Sequence, residues 1–550
     1  MMLPRPQLPP SPRMLALIAL AFVAPGLIGH DPWKAVDAIG IEVVHEMHRL
    51  GDWLVPRVGG APHFDDPPLY HWVALAFAKL FGSLLQFHDA ARLASGLFVL
   101  AALHFLHAAA RMGERPGAEN KEEIRLEAPA AVLMLVGAVG LIVHAHEAIP
   151  DLAALAASAA SFAMLARATQ KPVAAGTGFG IALGVAFLAT GPLVPAALLV
   201  AALLAWVVCD EFRHRRYATF IVIAVPVGIL LAASWPIALA LRSPALAEQW
   251  WGVAQPVPAD FGRNLRYFLE IGTWFTWPAW PLAVWALWAR RREWRSSALF
   301  VPLAASLTAF LAICLVAAPQ DVNMLPMLPP LALLAARGIP TLRRSAANAL
   351  DWFGVMTFGF FASLIWLGYI AMMTGVPPRI ARNFLKTAPG FVPQFEWLPL
   401  LVALALTFAW LWFVLRAPPS PTRGVLRWAA GVALLWGTFA TLWLAWADYQ
   451  KSYRFVALQL KAQIPVGTQC LGGHNLGAPQ RAALSYHAGI RTVPMTPAMT
   501  LAPAPTCGLL LVQGSPRNEL GAPGSRWTKI ADVGRPGDKS ERYRIYRFNG

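Results

Sequence analysis

Charged residues are scarce in this chain. Asp, Glu, Lys and Arg make up 13% of its 550 residues, whereas hydrophobic residues make up 57%. In ordinary soluble domains about a quarter of the residues are charged. The deficit excludes a soluble globular enzyme and a disordered chain, because both need a polar surface that faces water.

Cysteines are few, and the common nucleotide-binding motifs are missing. The four cysteines, at positions 209, 314, 470 and 507, have no CxxC spacing, which argues against a zinc cage. They are also too few for a disulfide scaffold. The sequence has no Walker A, Rossmann, GxSxG or HExxH pattern, so a cytosolic nucleotide site is not expected.

Long apolar segments recur along most of the chain. Many are roughly 20 residues long, which is the length that crosses a bilayer as a helix. The 23 Trp and 29 Phe suit a surface that lies near lipid headgroups. These features predict a polytopic α-helical membrane protein. Its first span covers residues 14–29, for which a cleaved signal peptide is the alternative.

The loops between these segments predict the orientation. The net charge of +16 comes from 45 basic and 29 acidic residues, and most of the excess lies between apolar stretches. This distribution favours positive-inside topology and contact with anionic lipid, and we expect no nucleic-acid partner. Arginine-rich loops, predicted to be cytoplasmic, are 213–216, 290–295, 343–344 and 423–427. Loops richer in Pro and aromatic residues, predicted to be periplasmic, are 242–273, 318–323 and 376–397.

Counting along these loops places the N-terminus in the cytoplasm, and we expect the membrane to be a bacterial inner membrane. Residues 30–66 and the stretch around Asp151 then both lie outside. Three apolar stretches, near 67–86, 91–110 and 129–148, separate these two outside regions, although parity allows only an even number of crossings. One stretch therefore does not cross, or two share a crossing, and the total is about 13 spans.

The composition changes near residue 448. Residues 449–550 contain polar segments, Gly/Pro turns and short β-type runs at 508–512 and 543–547. We predict two domains: a transmembrane domain, 1–448, with a first periplasmic loop at 30–66, and a small periplasmic α/β domain, 449–550. Cys470 and Cys507 fall in the second domain, where a disulfide and two free thiols are both open.

Several motifs follow one another in a specific order. The first loop reads PWK…D…E…GDWLVP…G…PPLYHW over residues 30–72. It is followed by HAHEAIPD, which ends at Asp151, by FLATGPLVP at 187–195, and by QDVNMLPMLPPLALLAARG at 320–338. This order resembles the GT-C membrane glycosyltransferases that take sugar from a polyprenyl-phosphate carrier. That group includes the lipid A aminoarabinose transferases and the protein O-mannosyltransferases.

The resemblance implies a GT-C-like fold and chemistry in a cavity at the outer membrane face. An acceptor group would attack the anomeric carbon with inversion, and the carrier phosphate would leave. Asp37 aligns with the family's first-loop acid, which serves as general base or orients the nucleophile. Asp151 aligns with the second acidic position, which orients substrate or binds a metal. Basic residues are expected to hold the carrier phosphate.

The sequence departs from the family at several of these positions. Val36 and Asp37 stand where the family has an Asp-Glu pair, so only one carboxylate remains. Two expected lysines are replaced by Asp66 and Thr190. The basic and tyrosine positions before the late helix are Gln320 and Asn323. The remaining candidates for substrate binding are Lys34, Arg57, His63, Asp66, Arg379, Arg382 and Lys386.

The resulting hypothesis is a glycosyltransferase that moves a sugar from a polyprenyl phosphate to a lipid or envelope-glycan acceptor. The alternatives are a different donor, a transporter or flippase of lipid-linked sugar, and a relative that has lost catalysis. His144, His146 and Glu147 with Asp151 have the helical spacing of metal ligands, but a polar cavity lining is favoured. No metal ligand is assigned and no cofactor is required, although a divalent metal stays an alternative.

Overall fold

Helices dominate the computed structural model, which describes residues 10–33, 35–111, 121–255, 257–417, 420–496, 499, 506–515 and 523–549, with the backbone alone at 121–125. The first half contains α1 (Pro12–Val23), α2 (Val36–Leu50), α3 (Leu69–Phe81), α4 (Phe87–Arg111), α5 (Lys121–Val136), α6 (Leu141–His144), α7 (Asp151–Leu165), α8 (Pro172–Thr190), α9 (Leu193–Val208), α10 (Arg215–Arg242), α11 (Pro244–Ala254) and α12 (Phe261–Phe275). The second half contains α13 (Ala279–Ala289), α14 (Ser297–Val316), α15 (Leu328–Gly338), α16 (Arg344–Thr374), α17 (Pro378–Thr387), α18 (Trp397–Arg416), α19 (Arg423–Leu442), α20 (Leu444–Lys451), α21 (Arg454–Gln463) and α22 (Ala478–Ala488).

Length and composition identify some of these helices as candidate membrane spans. Among the described residues, eight helical segments are long and apolar enough to cross a bilayer: α4, α8, α10, α14, the segment Asp321–Thr341 that contains α15, α16, α18 and α19. Six shorter helices are also apolar: α1, α3, α5 from Leu126 onward, α7, α9 and α13. The prediction of a polytopic helical membrane protein is confirmed.

The C-terminal residues form a small α/β domain, as predicted. Its five-stranded sheet has the order β4-β3-β5-β7-β6. The strands are β3 (Leu471–His474), β4 (Val493–Pro494), β5 (Leu509–Gly514), β6 (Trp527–Val533) and β7 (Arg542–Phe548). The β3 strand pairs in parallel with β4 and β5, while β7 pairs antiparallel with β5 and β6. Cys470 and Cys507, which the sequence left open, form a disulfide with their Cα atoms 5.1 Å apart.

This domain is fixed to the first loop. Arg491 Nη2 lies 2.8 Å from Glu46 Oε1 on α2, and Arg454 binds Asp31. The loop also contains a short β-hairpin whose strands, β1 (Arg57–Val58) and β2 (Ala61–Pro62), have two residues each. We call the side of the helical bundle that carries the domain the domain face. The boundary predicted at residue 448 falls inside α20, which runs continuously from the membrane part into the domain.

The helix α3 has both of its ends at the domain face. Its first turn follows the first loop, and Lys79 near its end lies 4.6 Å from the ring centroid of Trp53 in that loop. The next helix, α4, also begins at the domain face, because His88 Nδ1 lies 2.9 Å from the hydroxyl of Tyr486 in the domain. Both ends of α3 therefore lie on the same side. Eight long and six shorter apolar helices make fourteen, and without α3 thirteen remain; the count of about 13 spans stays a prediction.

The arginine-rich loops gather at the opposite end of the bundle. Arg290 and Arg337 pair there with the buried Glu127 of α5. Arg423 and Arg427 pair with the buried Asp351 of α16. Two buried carboxylates thus each have two arginine partners, as burying a charge requires.

Candidate functional site

Asp37 is buried and all its acceptor positions are used. Its Oδ1 accepts from Arg92 Nε at 3.2 Å and from the Ala148 amide at 2.7 Å. Its Oδ2 accepts from Arg92 Nη2 at 3.2 Å and from the Trp33 amide at 2.9 Å. Burial favours the neutral acid, but the Arg92 guanidinium holds the pKa of Asp37 below its ordinary value. A carboxylate with about four acceptor sites has none left for a substrate proton here.

Arg92 is the centre of this network and was missed from the sequence. It is fully buried in α4, and its Nη1 also donates to Asp89 Oδ1 and to the carbonyl of His30 at 3.3 and 3.2 Å. The sequence does show Asp89 and Arg92 three residues apart in an apolar segment. Charged residues in such a segment are costly to bury and tend to be functional, so this pair could have been singled out. That signal gives no indication of the partner, because Asp37 lies 55 residues away in the sequence.

The network holds the backbone that leads to Asp151. Asp37 accepts from the Ala148 amide, and Ser95 Oγ donates to the carbonyl of Glu147 at 2.7 Å. Gly40 packs against the same point: a Cβ there would lie 1.8 Å from the Ala148 carbonyl oxygen. Only glycine permits this approach. Asp37 therefore positions the segment that ends at Asp151.

Asp151 lines a cavity that opens to solvent between α7, α8, α9, α14 and the segment that leads into α15. Its other polar lining residues are Ser158, Thr190 and Asn323, and the rest are apolar. Thr190 reaches this position because α8 ends there, at Gly191, whose φ of +78° is left-handed. The cavity is therefore lined by Asp151, the second acidic position of the motif order, and by Thr190 and Asn323, which replace two expected donor residues.

Asp66 lies close enough to Asp151 to be affected by its charge. It lies in the loop before α3, where burial and then the charges of Asp151 and Asp65 raise its pKa well above its ordinary value. A carboxyl in such surroundings is stabilised in its neutral form. The position where a phosphate-binding lysine was expected therefore holds an acid that faces another acid.

His144 supplies a positive charge near Asp151. It lies in residues 137–150, which connect α5 to α7 on the domain face, outside the spans. Its Nδ1 is 2.6 Å from Glu147 Oε2 and its Nε2 is 3.5 Å from Asp321 Oδ2. Burial alone would lower its pKa, but the hydrogen bonds and charges of these two carboxylates raise it to about 10. The two carboxylates thus favour the imidazolium form of the ring, which links the loop to the segment carrying Asn323.

The metal-ligand interpretation of the HAHE segment gains no support. The ring nitrogens of His146 lie 2.9 Å from the carbonyl oxygens of Ile142 and Phe22, so this ring does not share a cluster with His144. Within the described ranges, no group of three or more His, Cys, Asp or Glu side chains could hold a metal ion. The donor set present therefore does not fit a metal cage.

The remaining first-loop candidates lie away from the cavity lining. Arg57 Nη2 is 3.4 Å from Asp52 Oδ2, and His63 Nε2 is 3.6 Å from Asp65 Oδ2. Burial lowers the pKa of His63. Lys34 lies outside the described residues.

The three outer-loop candidates lie together on α17. Arg379, Arg382 and Lys386 are exposed, and none of them lines the cavity around Asp151. The structure thus separates the predicted site residues into a positioning network at Asp37, a cavity at Asp151, and a cationic helix elsewhere on the domain face.

Comparisons with known proteins agree with the motif order. No protein-family model matches the chain. The chain is 26% identical over 451 residues to an undecaprenyl phosphate-α-4-amino-4-deoxy-L-arabinose arabinosyl transferase of Edwardsiella ictaluri, covering 77% of this chain and 75% of the relative. A protein of the same name from Serratia proteamaculans is 22% identical over 435 residues, covering 76% and 72%.

Two solved structures share the fold over nearly the whole chain. Both are ArnT from Cupriavidus metallidurans. The form bound to undecaprenyl phosphate superimposes with a TM-score of 0.68 at 19% identity and covers 97% of both chains. The apo form superimposes with a TM-score of 0.66 at 20% identity and covers 98% of this chain and 97% of the other. The resemblance inferred from the sequence is confirmed, and the chain has the fold of the ArnT membrane glycosyltransferases.

Proposed function

We propose that this protein transfers a sugar from a polyprenyl phosphate to a lipid or envelope-glycan acceptor. The observation that carries the proposal is the cavity at Asp151, built in a fold shared with a protein whose structure holds undecaprenyl phosphate. The apolar walls suit a prenyl chain, and the polar residues lie at the end nearest the domain face. The curated relatives use an undecaprenyl-phosphate donor by name, which supports the same class of donor here.

In this proposal Asp151 is the catalytic carboxylate and Asp37 is a positioning residue. The acceptor forms a bond to the anomeric carbon, the bond from that carbon to the carrier phosphate breaks, and the acceptor proton passes to a base. Asp151 is the candidate base because it lines the cavity, whereas the oxygens of Asp37 are all engaged. His144 supplies positive charge near the departing phosphate, where developing negative charge needs it. The roles first assigned to Arg57, His63, Asp66 and Lys34 stay predictions.

We also propose that the domain face is periplasmic and that the N-terminus is cytoplasmic. The gathering of arginines at the opposite end of the bundle supports this orientation through the positive-inside rule. The disulfide of the C-terminal domain supports it as well, because such bonds persist in oxidising compartments. In a bacterium this places the protein in the inner membrane.

Transfer is tested first in cells. Envelope lipids and glycans are compared by mass spectrometry with the gene intact, deleted, and restored as wild type, Asp151→Asn or Asp260→Asn. Asp260 caps α12 through the Arg263 amide, and asparagine caps equally well, so this variant controls for the loss of a domain-face carboxylate. A sugar-sized mass should disappear on deletion, return with wild type and Asp260→Asn, and stay absent with Asp151→Asn.

A detergent assay distinguishes the enzyme from its alternatives. In micelles there are no two sides to connect, so a flippase makes no product from a purified lipid-linked sugar and acceptor, whereas a transferase does. A relative that has lost catalysis would bind the carrier and release no sugar from it. Product that forms in micelles and is lost with Asp151→Asn supports the transferase alone.

A further inference from the structure

The helix α17 has two chemically distinct faces. Arg379, Arg382 and Lys386 follow the i, i+3, i+7 spacing and so share one face, while Ile380 and Phe384 lie on the other. The Phe384 ring packs 5.0 and 5.1 Å from the rings of Trp443 and Trp446. The apolar face is therefore attached to the bundle and the cationic face points outward.

Within the part of the chain that the structure describes, the cations of α17 have no carboxylate partners. Among the described residues, none of the three is in an ion pair, and all three are exposed. The loop 376–397 contains a single acid, Glu396, so its net charge is positive. Exposed positive charge without internal partners is available to an anionic surface.

The position of α17 indicates which surface that is. It connects two candidate spans, α16 and α18, at the domain face. Leu385 on α17 and Trp397 at the start of α18 are 58% and 70% exposed, as expected for side chains at the level of lipid headgroups and upper acyl chains. A short amphipathic helix between two span ends lies at the bilayer surface.

The same loop contacts the C-terminal domain. Tyr449 Oη donates to the carbonyl of Pro389 at 2.8 Å. Gly537, in the turn between β6 and β7, has a φ of +77°, and a Cβ there would lie 2.5 Å from the Thr387 carbonyl oxygen. Whatever holds α17 to the membrane surface therefore also fixes the edge of the domain.

We propose that α17 binds the headgroups of anionic phospholipids and anchors the C-terminal domain at the bilayer surface. The inference stands on the membrane location of the chain and does not depend on the proposed transfer reaction. It assigns Arg379, Arg382 and Lys386 to bulk lipid and not to the sugar carrier.

The test counts bound lipids on the purified full-length protein by native mass spectrometry during titration with phosphatidylglycerol and phosphatidylcholine. Each cation near an anionic surface contributes roughly fivefold in affinity, so a variant with R379Q, R382Q and K386Q should lose about 100-fold for phosphatidylglycerol. The matched control removes three exposed cations of the domain, with R526Q, K539Q and R547Q, and should bind as wild type. A variant with R379K and R382K keeps the charge and should bind as wild type too.

Three results would overturn the proposal. The α17 variant could keep its affinity for phosphatidylglycerol, or wild type could bind both lipids equally. Titration with a polyprenyl phosphate is the third arm: if the variant lost this ligand and kept phosphatidylglycerol, the cations would hold the carrier instead. Equal thermal midpoints for wild type and variants show that the fold is intact.

Discussion

Asp37 and Asp151 are the two acidic positions of the motif order, and both lie at the domain face. Their surroundings are opposite. Asp37 is enclosed by a guanidinium and two backbone amides, and its acceptor positions are filled. Asp151 lines an open cavity, and its neighbours His144, Glu147 and Asp321 act on it through charge. The first arrangement fixes structure, and the second leaves a carboxylate available to a substrate.

The difference shows that two acidic positions of one motif order can have very different surroundings, and the proposed roles of Asp37 and Asp151 follow from it. Asp37 acts on Asp151 through Ala148, three residues before it, and Gly40 makes that contact possible by close packing. Variants in the two regions should therefore fail in different ways. Loss at Asp151 should affect the reaction, and loss at Asp37 or Arg92 should affect the fold.

The largest effect is expected for Asp151→Asn. Removing a general base typically costs about 10²–10⁴-fold in rate, while asparagine keeps the shape of the side chain. We expect this loss in the micelle transfer assay with no change in thermal midpoint. Asp260→Asn is the control and should keep its rate. A full rate for Asp151→Asn would remove Asp151 from the chemistry and return Asp37 to the first position.

The next effect is expected for Arg92→Met. Breaking a buried ion pair by removing one partner costs about 3–5 kcal/mol, because Asp37 and Asp89 stay buried without compensation. The thermal midpoint of the purified protein should fall, and adding Asp37→Leu should recover part of the loss. Arg266, whose pair with Glu270 is exposed, is the control, and Arg266→Met should leave the midpoint unchanged. An unchanged midpoint for Arg92→Met would contradict the positioning role.

A smaller, pH-dependent effect is expected at His144. Its pKa is raised to about 10 in the folded protein, against about 6.5 when unfolded. The stabilisation from the imidazolium is thus fully present below pH of about 6.5 and is lost as the pH rises through about 10. His144→Gln should lower the free energy of unfolding by about 1.5–3 kcal/mol at pH 6, since hydrogen bonds to a charged group are lost.

Thermal unfolding at several pH values checks this prediction. The difference between wild type and His144→Gln should shrink steadily toward pH 10, because wild type loses its charge there. A difference that stays constant from pH 6 to pH 10 would show that folding does not shift the pKa of His144.

The smallest effect is expected for Arg57→Gln. Arg57 and Asp52 form a partly exposed pair, and such pairs contribute about 0.2–1 kcal/mol. We expect a small drop in thermal midpoint and a transfer rate within about threefold of wild type, well below the loss expected from removing a general base. A large rise in the KM for the donor would instead identify Arg57 as a phosphate-binding residue.

Most of the fold could be predicted because it depends on local composition. Apolar segments and the polar C-terminal part can each be recognised within a short window of sequence, and the structure has apolar helices and a C-terminal sheet there. The exception was α3. Its composition matches that of a span, and only the contacts of Lys79 with Trp53 and of His88 with Tyr486 show that it stays on one side.

The candidate site was predictable in its parts and not in their arrangement. The motif order singled out Asp151, Thr190 and Asn323 separately, and the structure brings them to one cavity. Arg92 was not predicted as a site residue. A buried ion pair is recognised from the distance between two side chains, and the sequence does not give that distance. The same limit applies to the sequence prediction that Asp37 is the general base, because the sequence does not show that Arg92 lies against Asp37.

The sequence by itself determined that the chain spans a membrane, that a small domain follows, and which family its motifs resemble. These properties follow from hydrophobicity and residue order, which are local quantities. Only the tertiary structure decided that both ends of α3 lie on one side of the bundle, that Cys470 is bonded to Cys507, and that Arg92 encloses Asp37 while Asp151 lines a cavity. Each of these features depends on contacts between side chains that are far apart in the sequence. Such contacts are determined by how the segments pack together.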